Sequence, residues 1–269
     1  MRASITTVPV RKFSVDKSAD PNVLDFVSVE EPLQIRVSDH TGLHDVAITM
    51  RTPGHDRELA AGFLFTEGLL QNAQQINAIQ PDDRGAVDVY LAENVSCELG
   101  NRNFYMTSSC GVCGKASIDA LRQSGARMIT GHTPQINSAV LFALPDRLRH
   151  AQAAFEHTGG LHAAGLFSST GALVSIREDV GRHNAVDKLI GQAFLENRLP
   201  LAENVLMLSG RISFELVQKA VMAGIPIIAA VGAPSSLAVE TALRFGVTLI
   251  GFLRNGRCNV YTGADRLVG

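Results

Sequence analysis

Val205-Leu206-Met207-Leu208-Ser209-Gly210-Arg211 reads as a short apolar strand closed by a turn, and together with the segments after it this stretch decides the fold. Residues 212–223 have a helical pattern, 225–230 a strand, 236–244 a helix and 247–252 a strand. Strands alternating with helices are the signature of a layered α/β domain, with helices packed against a sheet. The rhythm begins near Thr158, with strands expected at 161–167 and 173–176 and a helix at 183–196; the first of these segments also fits a helix. Within 183–196, Val186, Leu189, Ile190, Ala193 and Phe194 recur at helical spacing and give the helix one face to bury.

Upstream the pattern is different. Leu33, Ile35 and Val37, then Val46, Ile48 and Met50, alternate around a His40-Thr41-Gly42 turn, which predicts a hairpin. Asp56 is placed to cap a helix over 57–65, residues 86–91 alternate as a strand, and a shorter strand is expected at 104–106. The expected organisation is a flexible arm over 1–28, a β-rich unit over 29–125, and an α/β domain over 126–269, α+β overall.

The chain has 269 residues, 46% hydrophobic and 19% charged, which is enough apolar material for a sizeable core. A formal net charge of -2 supplies no polybasic footprint for nucleic acid or a membrane surface. The N-terminal twenty residues have no apolar leader, and no run approaches the roughly 18 apolar residues of a membrane span. A cytoplasmic protein is expected. Four cysteines, two of them in a CxxC, suit a reducing compartment with a working thiol pair, with Cys97 and Cys258 as packing residues.

That pair lies in Thr107-Ser108-Ser109-Cys110-Gly111-Val112-Cys113-Gly114-Lys115. Gly111 and Gly114 free the backbone and leave both sulfurs uncrowded. Arg102 and Lys115 are the only charges between Glu98 and Asp119, and a helix expected over 115–122 would turn its positive end toward Cys113. Both effects favour thiolate, which is a nucleophile or a soft metal ligand.

Beyond the carboxyl ends of the strands, where an α/β sheet receives its ligands, the chain places Ser209-Gly210-Arg211, Gly232-Ala233-Pro234-Ser235-Ser236 and Arg254-Asn255-Gly256-Arg257. Two of the three precede helices, so a phosphate or pyrophosphate could rest on N–H groups and hydroxyls beside Arg211, Arg254 or Arg257. Glycine and serine are also ordinary turn and cap residues there, and no GxGxxG or Walker A string is present. A further junction, Arg177-Glu178-Asp179-Val180-Gly181-Arg182-His183-Asn184, would turn Arg182 and His183 toward the same crevice even if Asp179 only caps its helix.

Zinc on Cys110, Cys113, His157 and His162 is a rival reading, weakened by the 43 residues between Cys113 and His157. His162 could instead act as an acid–base partner to a thiol. A thioredoxin-type role lacks its βαβ scaffold in the β-hairpin-rich N-terminal part.

From about Glu31 to Tyr261 the chain resembles the formate dehydrogenase accessory family FdhD, sulfur carriers or sulfurtransferases. The resemblance rests on Arg51-Thr52-Pro53-Gly54, Gly62-Phe63-Leu64-Phe65-Thr66-Glu67-Gly68, Ser109-Cys110-Gly111-Val112-Cys113-Gly114, Thr158-Gly159-Gly160-Leu161-His162, Glu178-Asp179-Val180-Gly181-Arg182-His183-Asn184-Ala185, Ser209-Gly210-Arg211 and Ala233-Pro234-Ser235-Ser236-Leu237-Ala238. It implies that Cys110 accepts persulfide sulfur from a cysteine desulfurase. The sulfur then passes to the molybdenum cofactor, bis-molybdopterin guanine dinucleotide, needed by formate dehydrogenase. Cys113 would assist, and the cofactor would lie near Phe252, Leu253, Arg254, Asn255, Gly256 and Arg257. A homodimer is expected, with no tightly bound metal of its own. The family's second half is similar to cytidine deaminases, three-layered α/β/α, but Ala163-Ala164 after His162 leaves out their His-x-Glu pair, so deamination is not expected. The alternative is a cofactor-binding chaperone whose CxxC is structural.

Overall fold

The computed structural model describes residues 3–15, 17–93, 95–96, 121, 125–130 and 134–269. Cys97, Cys110, Cys113, the strand expected at 104–106 and, apart from Leu121, the helix expected at 115–122 lie outside the described residues.

Where the sequence suggests a loose arm, β1 (Ile5–Ser14) and β2 (Lys17–Ser28) pair as an antiparallel hairpin. The β-branched Ile5, Thr6, Thr7, Val8 and Val10 account for the strand, and the polar and charged residues that follow them hid it.

β3 (Glu31–Asp39) and β4 (Gly42–Arg51) form the expected hairpin, and with β5 (Ile76–Pro81) and β6 (Ala86–Leu91) they make a four-stranded sheet in the order β4-β3-β6-β5. Leu33, Ile35 and Val37 point into the core as their alternation predicts. On β4 the expectation fails midway. The register steps from Ile35↔Ala47 to Arg36↔Asp45, so Val46 is an extra residue, a bulge that changes which face the strand presents. Val46 and Ala47 are therefore both buried, Ile48 and Met50 are exposed, and Arg51 turns inward.

Buried Arg51 is paired by Asp56, whose two carboxylate oxygens accept its Nε (2.9 Å) and Nη2 (3.0 Å). Asp56 thus begins α1 (Asp56–Thr66) without capping it; the N-cap position is His55, in a left-handed conformation, with no side-chain cap.

The second half runs β7 (Ile136–Asn137), α2 (Ser138–Ala151), α3 (Ala153–Thr158), β8 (His162–Ser168), β9 (Leu173–Asp179), α4 (Arg182–Leu195), β10 (Asn204–Leu208), α5 (Phe214–Met222), β11 (Ile227–Ala230), α6 (Ser236–Phe245), β12 (Thr248–Arg254), β13 (Arg257–Thr262) and β14 (Leu267–Val268). Six of these strands form one sheet in the order β13-β12-β11-β10-β8-β9, with β10, β11 and β12 parallel and the flanking pairs antiparallel.

Alternation along the strands builds two apolar clusters. Phe167, Val205, Met207, Ile227, Ala229 and Ile250 pack under α2 with Leu141, Leu144 and Leu148. Leu166, Leu206, Leu208, Ile228, Ala230 and Leu249 face the other way, into a larger cluster that includes α4, α5, α6, α1 and the N-terminal sheet. Helices therefore cover both faces of the six-stranded sheet.

α1 joins the two halves by crossing α4 at glycines. A Cβ on Gly62 would overlap the carbonyl oxygen of Asp187, and one on Gly191 would lie 2.7 Å from the nitrogen of Gly62. Among the described residues no helix is long and apolar enough to cross a membrane.

Candidate functional site

The strand directions gather the singled-out segments at one end of the six-stranded sheet. β10, β11 and β12 finish there, and their antiparallel neighbours place His162 at the start of β8, Asp179 at the end of β9 and Arg257 at the start of β13. α4, α5 and α6 all begin at this end, so the positive ends of three helix dipoles face it.

The strand-end loops are zipped by backbone. Gly232 N donates to Gly210 O (3.1 Å), Phe252 N to Gly232 O (3.0 Å) and Ile212 N to Ala233 O (3.0 Å). A Cβ on Gly232 would sit 2.8 Å from the Gly210 oxygen, so this approach requires glycine. Ser209 extends the β10–β8 ladder, its Oγ accepting from Ala163 N at 2.8 Å. Gly210 lies against the His162 ring: a Cβ there would meet Nδ1 at 3.2 Å. Arg211 is exposed between these loops.

Ser235 caps α6 by accepting from Ala238 N (3.3 Å), and Ser236 is exposed beside it. Phe252 takes a positive φ of 54°, with the Arg254 guanidinium 5.8 Å from its ring centroid. Leu253 is fully buried in the cluster under α2, so its part is packing. Asn255 (φ 53°) and Gly256 (φ 68°) form the two-residue turn of the β12–β13 hairpin, exposing Arg254 and Arg257 on its flanks.

Arg182 and His183 open α4. The Nε of Arg182 is buried with no hydrogen-bond partner among the described residues. His183 Nε2 is 3.0 Å from Ser213 Oγ and 3.8 Å from Glu215. Burial, then the nearby Arg182 and Lys219 charges, push His183 down to about 4 against the pull of Glu215. It is a neutral imidazole at pH 7. His162 is also pushed down, by burial and then Arg182. His157, the other histidine of the zinc reading, is on α3 with its ring 6.1 Å from Phe26 of β2. Cys258 packs against the α2 cluster, and burial pushes its thiol up, as suits an unreactive packing residue.

The sequence does not foretell the buried polar groups behind this end. Asp179 and Lys188 meet Thr52 just past β4, Asn184 donates to Asp179, and Asp187 meets Lys219 and Thr66. The available signal was Asp187-Lys188 set within the apolar face of α4, beside Val186, Leu189 and Ile190.

A mixed sheet covered on both faces, with guanidinium groups, glycine-bared backbone and neutral imidazole at one end, defines an α/β protein whose sheet end is chemically suited to an anion. The chain matches the FdhD/NarQ family over residues 28–268 and belongs to it. It is 52% identical over 256 residues to a sulfur carrier protein FdhD from Streptomyces avermitilis, covering 90% of this chain and 89% of the relative. The counterpart from Saccharolobus solfataricus is 41% identical over 263 residues, covering 97% and 99%. A crystal structure of a formate dehydrogenase accessory protein from Desulfotalea psychrophila superposes with a TM-score of 0.78 at 25% identity, over 99% of this chain and 100% of that one.

Proposed function

We propose that this chain is a cytoplasmic sulfur carrier, a sulfurtransferase that loads sulfur onto the molybdenum cofactor of formate dehydrogenase. What carries the reading is its likeness, over nearly full length, to relatives named sulfur carrier proteins, in a chain that holds the glycine-flanked Cys110-Gly111-Val112-Cys113 pair.

Chemically, the Cys110 thiolate attacks the outer sulfur of a persulfide on a cysteine desulfurase; the donor's S–S bond breaks, its thiolate leaves, and Cys110 carries the persulfide. Cys113 then attacks the Cys110 sulfur, closing a disulfide and expelling hydrosulfide toward the metal. The two cysteines supply the two electrons, and a cellular thiol reductant restores them.

The substrate is bis-molybdopterin guanine dinucleotide, received by the sheet end of the 126–269 half. The three helix N-termini, exposed Arg211, Arg254 and Arg257, and Ser235 and Ser236 support this, because a pyrophosphate accepts charge-assisted bonds from such groups. The likeness of this half to cytidine deaminases is part of the same reading, supported by the helices on both sheet faces. Exposed Phe13, Leu24 and Phe26 on the first hairpin support a homodimer.

Cys110→Ala tests the division of labour. It should abolish activation of a formate dehydrogenase while the chain still binds guanosine diphosphate, the nucleotide end of the substrate. Activation by that variant would refute the carrier role.

A further inference from the structure

The end of β4 and the turn that opens α4 are stitched together by side chains that stand behind the sheet end. Asp179 is wholly buried. Its Oδ1 accepts from Gly181 N (2.8 Å) and Asn184 Nδ2 (3.2 Å), and its Oδ2 accepts from Thr52 N (3.2 Å) and Lys188 Nζ (2.7 Å). Thr52 is used at every polar atom: its Oγ1 accepts from Val180 N (3.1 Å) and its carbonyl from Lys188 Nζ (2.8 Å). Asn184 completes the stitch, donating to Met50 O (2.7 Å) and accepting from the Thr49 hydroxyl (3.1 Å).

The N–H groups of Val180 and Gly181, just ahead of Arg182, are thus held by side chains and not by the sheet or the helix. Space is equally tight, because a Cβ on Gly181 would lie 3.0 Å from Asn184 Nδ2. The path of the backbone into Arg182 and His183 is therefore set from the other half of the molecule.

We propose that Thr52 and Asp179 are positioning residues: they fix the β9–α4 turn so that Arg182 and His183 face a phosphorylated ligand at the sheet end, an inference that rests on the binding role given to that end above. A salt bridge kept only for stability could be exchanged for apolar packing with little loss. Here the polar atoms converge on the turn, so a change that leaves the chain folded should still misplace Arg182.

Thr52→Val in the full chain is the test, because it keeps the shape and the backbone groups of Thr52 and deletes only the acceptor for Val180. Three quantities are read: hydrogen–deuterium exchange of residues 179–184 without ligand, guanosine diphosphate affinity by calorimetry, and the urea midpoint. The loss of one buried hydrogen bond predicts about fivefold to tenfold faster exchange at the turn and a similar fall in affinity, both restored by Thr52→Ser.

Leu144→Ala, which opens a cavity under the opposite sheet face, serves as the stability control; it should lower the urea midpoint and leave affinity within about twofold. Unchanged exchange in Thr52→Val, or an affinity loss no greater than in the control, would overturn the positioning role. Failure of the unsubstituted chain to bind guanosine diphosphate would instead overturn the binding role of the sheet end.

Discussion

Replacing Gly62 by alanine sets two effects of opposite sign against each other. On an exposed helix the change is stabilising by up to about 1 kcal/mol, because alanine restricts the unfolded chain and favours the helix. In α1 the added Cβ would overlap the carbonyl oxygen of Asp187, and lie 2.7 Å from its carbon and 2.9 Å from the nitrogen of Gly191, where ordinary contact begins at 3.4 Å. All three obstacles are backbone of α4, so no rotamer change relieves them. The helices must part by about 1 Å, at an overpacking cost of about 3 kcal/mol, the upper end of such penalties, which leaves a net loss of about 2 kcal/mol after alanine's gain.

Each kcal/mol shifts the melting temperature of a chain this size by about 2–4 °C, so Gly62→Ala should lower it by about 4–8 °C. Circular dichroism during heating, with urea unfolding as a second probe, measures the change. A melting temperature equal to or above that of the parent would refute close glycine packing of α1 on α4. It would also undermine the buried bonds set by that crossing, Thr66 Oγ1 to Asp187 (2.8 Å) and Lys188 to the Thr52 carbonyl.

Lys219 is buried between Asp187 (2.9 Å) and Glu67 (3.3 Å), so Lys219→Met, which strands the Asp187 carboxylate, should destabilise the fold by about 3–5 kcal/mol in urea unfolding. Adding Asp187→Leu should recover most of that loss. The folded chain holds a proton on His183 more weakly than the unfolded chain does, about 4 against 6.5, so stability should fall as the pH drops through that window. His183→Gln should flatten the fall in a series of urea midpoints. Glu58 opposes its burial with hydrogen bonds from His55 and Arg177 that hold it at about 2, below its ordinary 4.5, so a second loss of stability should follow as the pH falls from 4.5 toward 2.

Elements that bury whole apolar runs were legible in the sequence. β10 and β11 begin and end within two residues of expectation, and the segment open to strand or helix forms β8. The α2 helix escaped notice because Pro145 interrupts its pattern, although Leu141, Leu144 and Leu148 keep helical spacing and Asn137 caps it by accepting from Ala139 N. β13 escaped because Arg257, Asn259 and Val260 are exposed on a sheet edge, where burial imposes no alternation; its signal was the Asn255-Gly256 turn.

At the sheet end, loops that follow consecutive parallel strands were readable, since βα connections bring them together wherever the chain twists normally. Long-range pairings were not. Thr52 and Asp179 are 127 positions apart, and nothing local in Arg51-Thr52-Pro53-Gly54 tells which buried carboxylate its backbone will meet. The same holds for Leu253, which the family resemblance set in the cofactor segment, while strand alternation turns it into the core.

The most direct test of the sulfur-carrier role is peptide mass spectrometry of the purified chain after incubation with a cysteine desulfurase and free cysteine. One added sulfur is predicted on Cys110, removable by a thiol reductant and absent without the desulfurase. An unmodified peptide, with both Cys110 and Cys113 shielded from alkylation until a chelator is added, would contradict that role and mark the pair as a structural metal site.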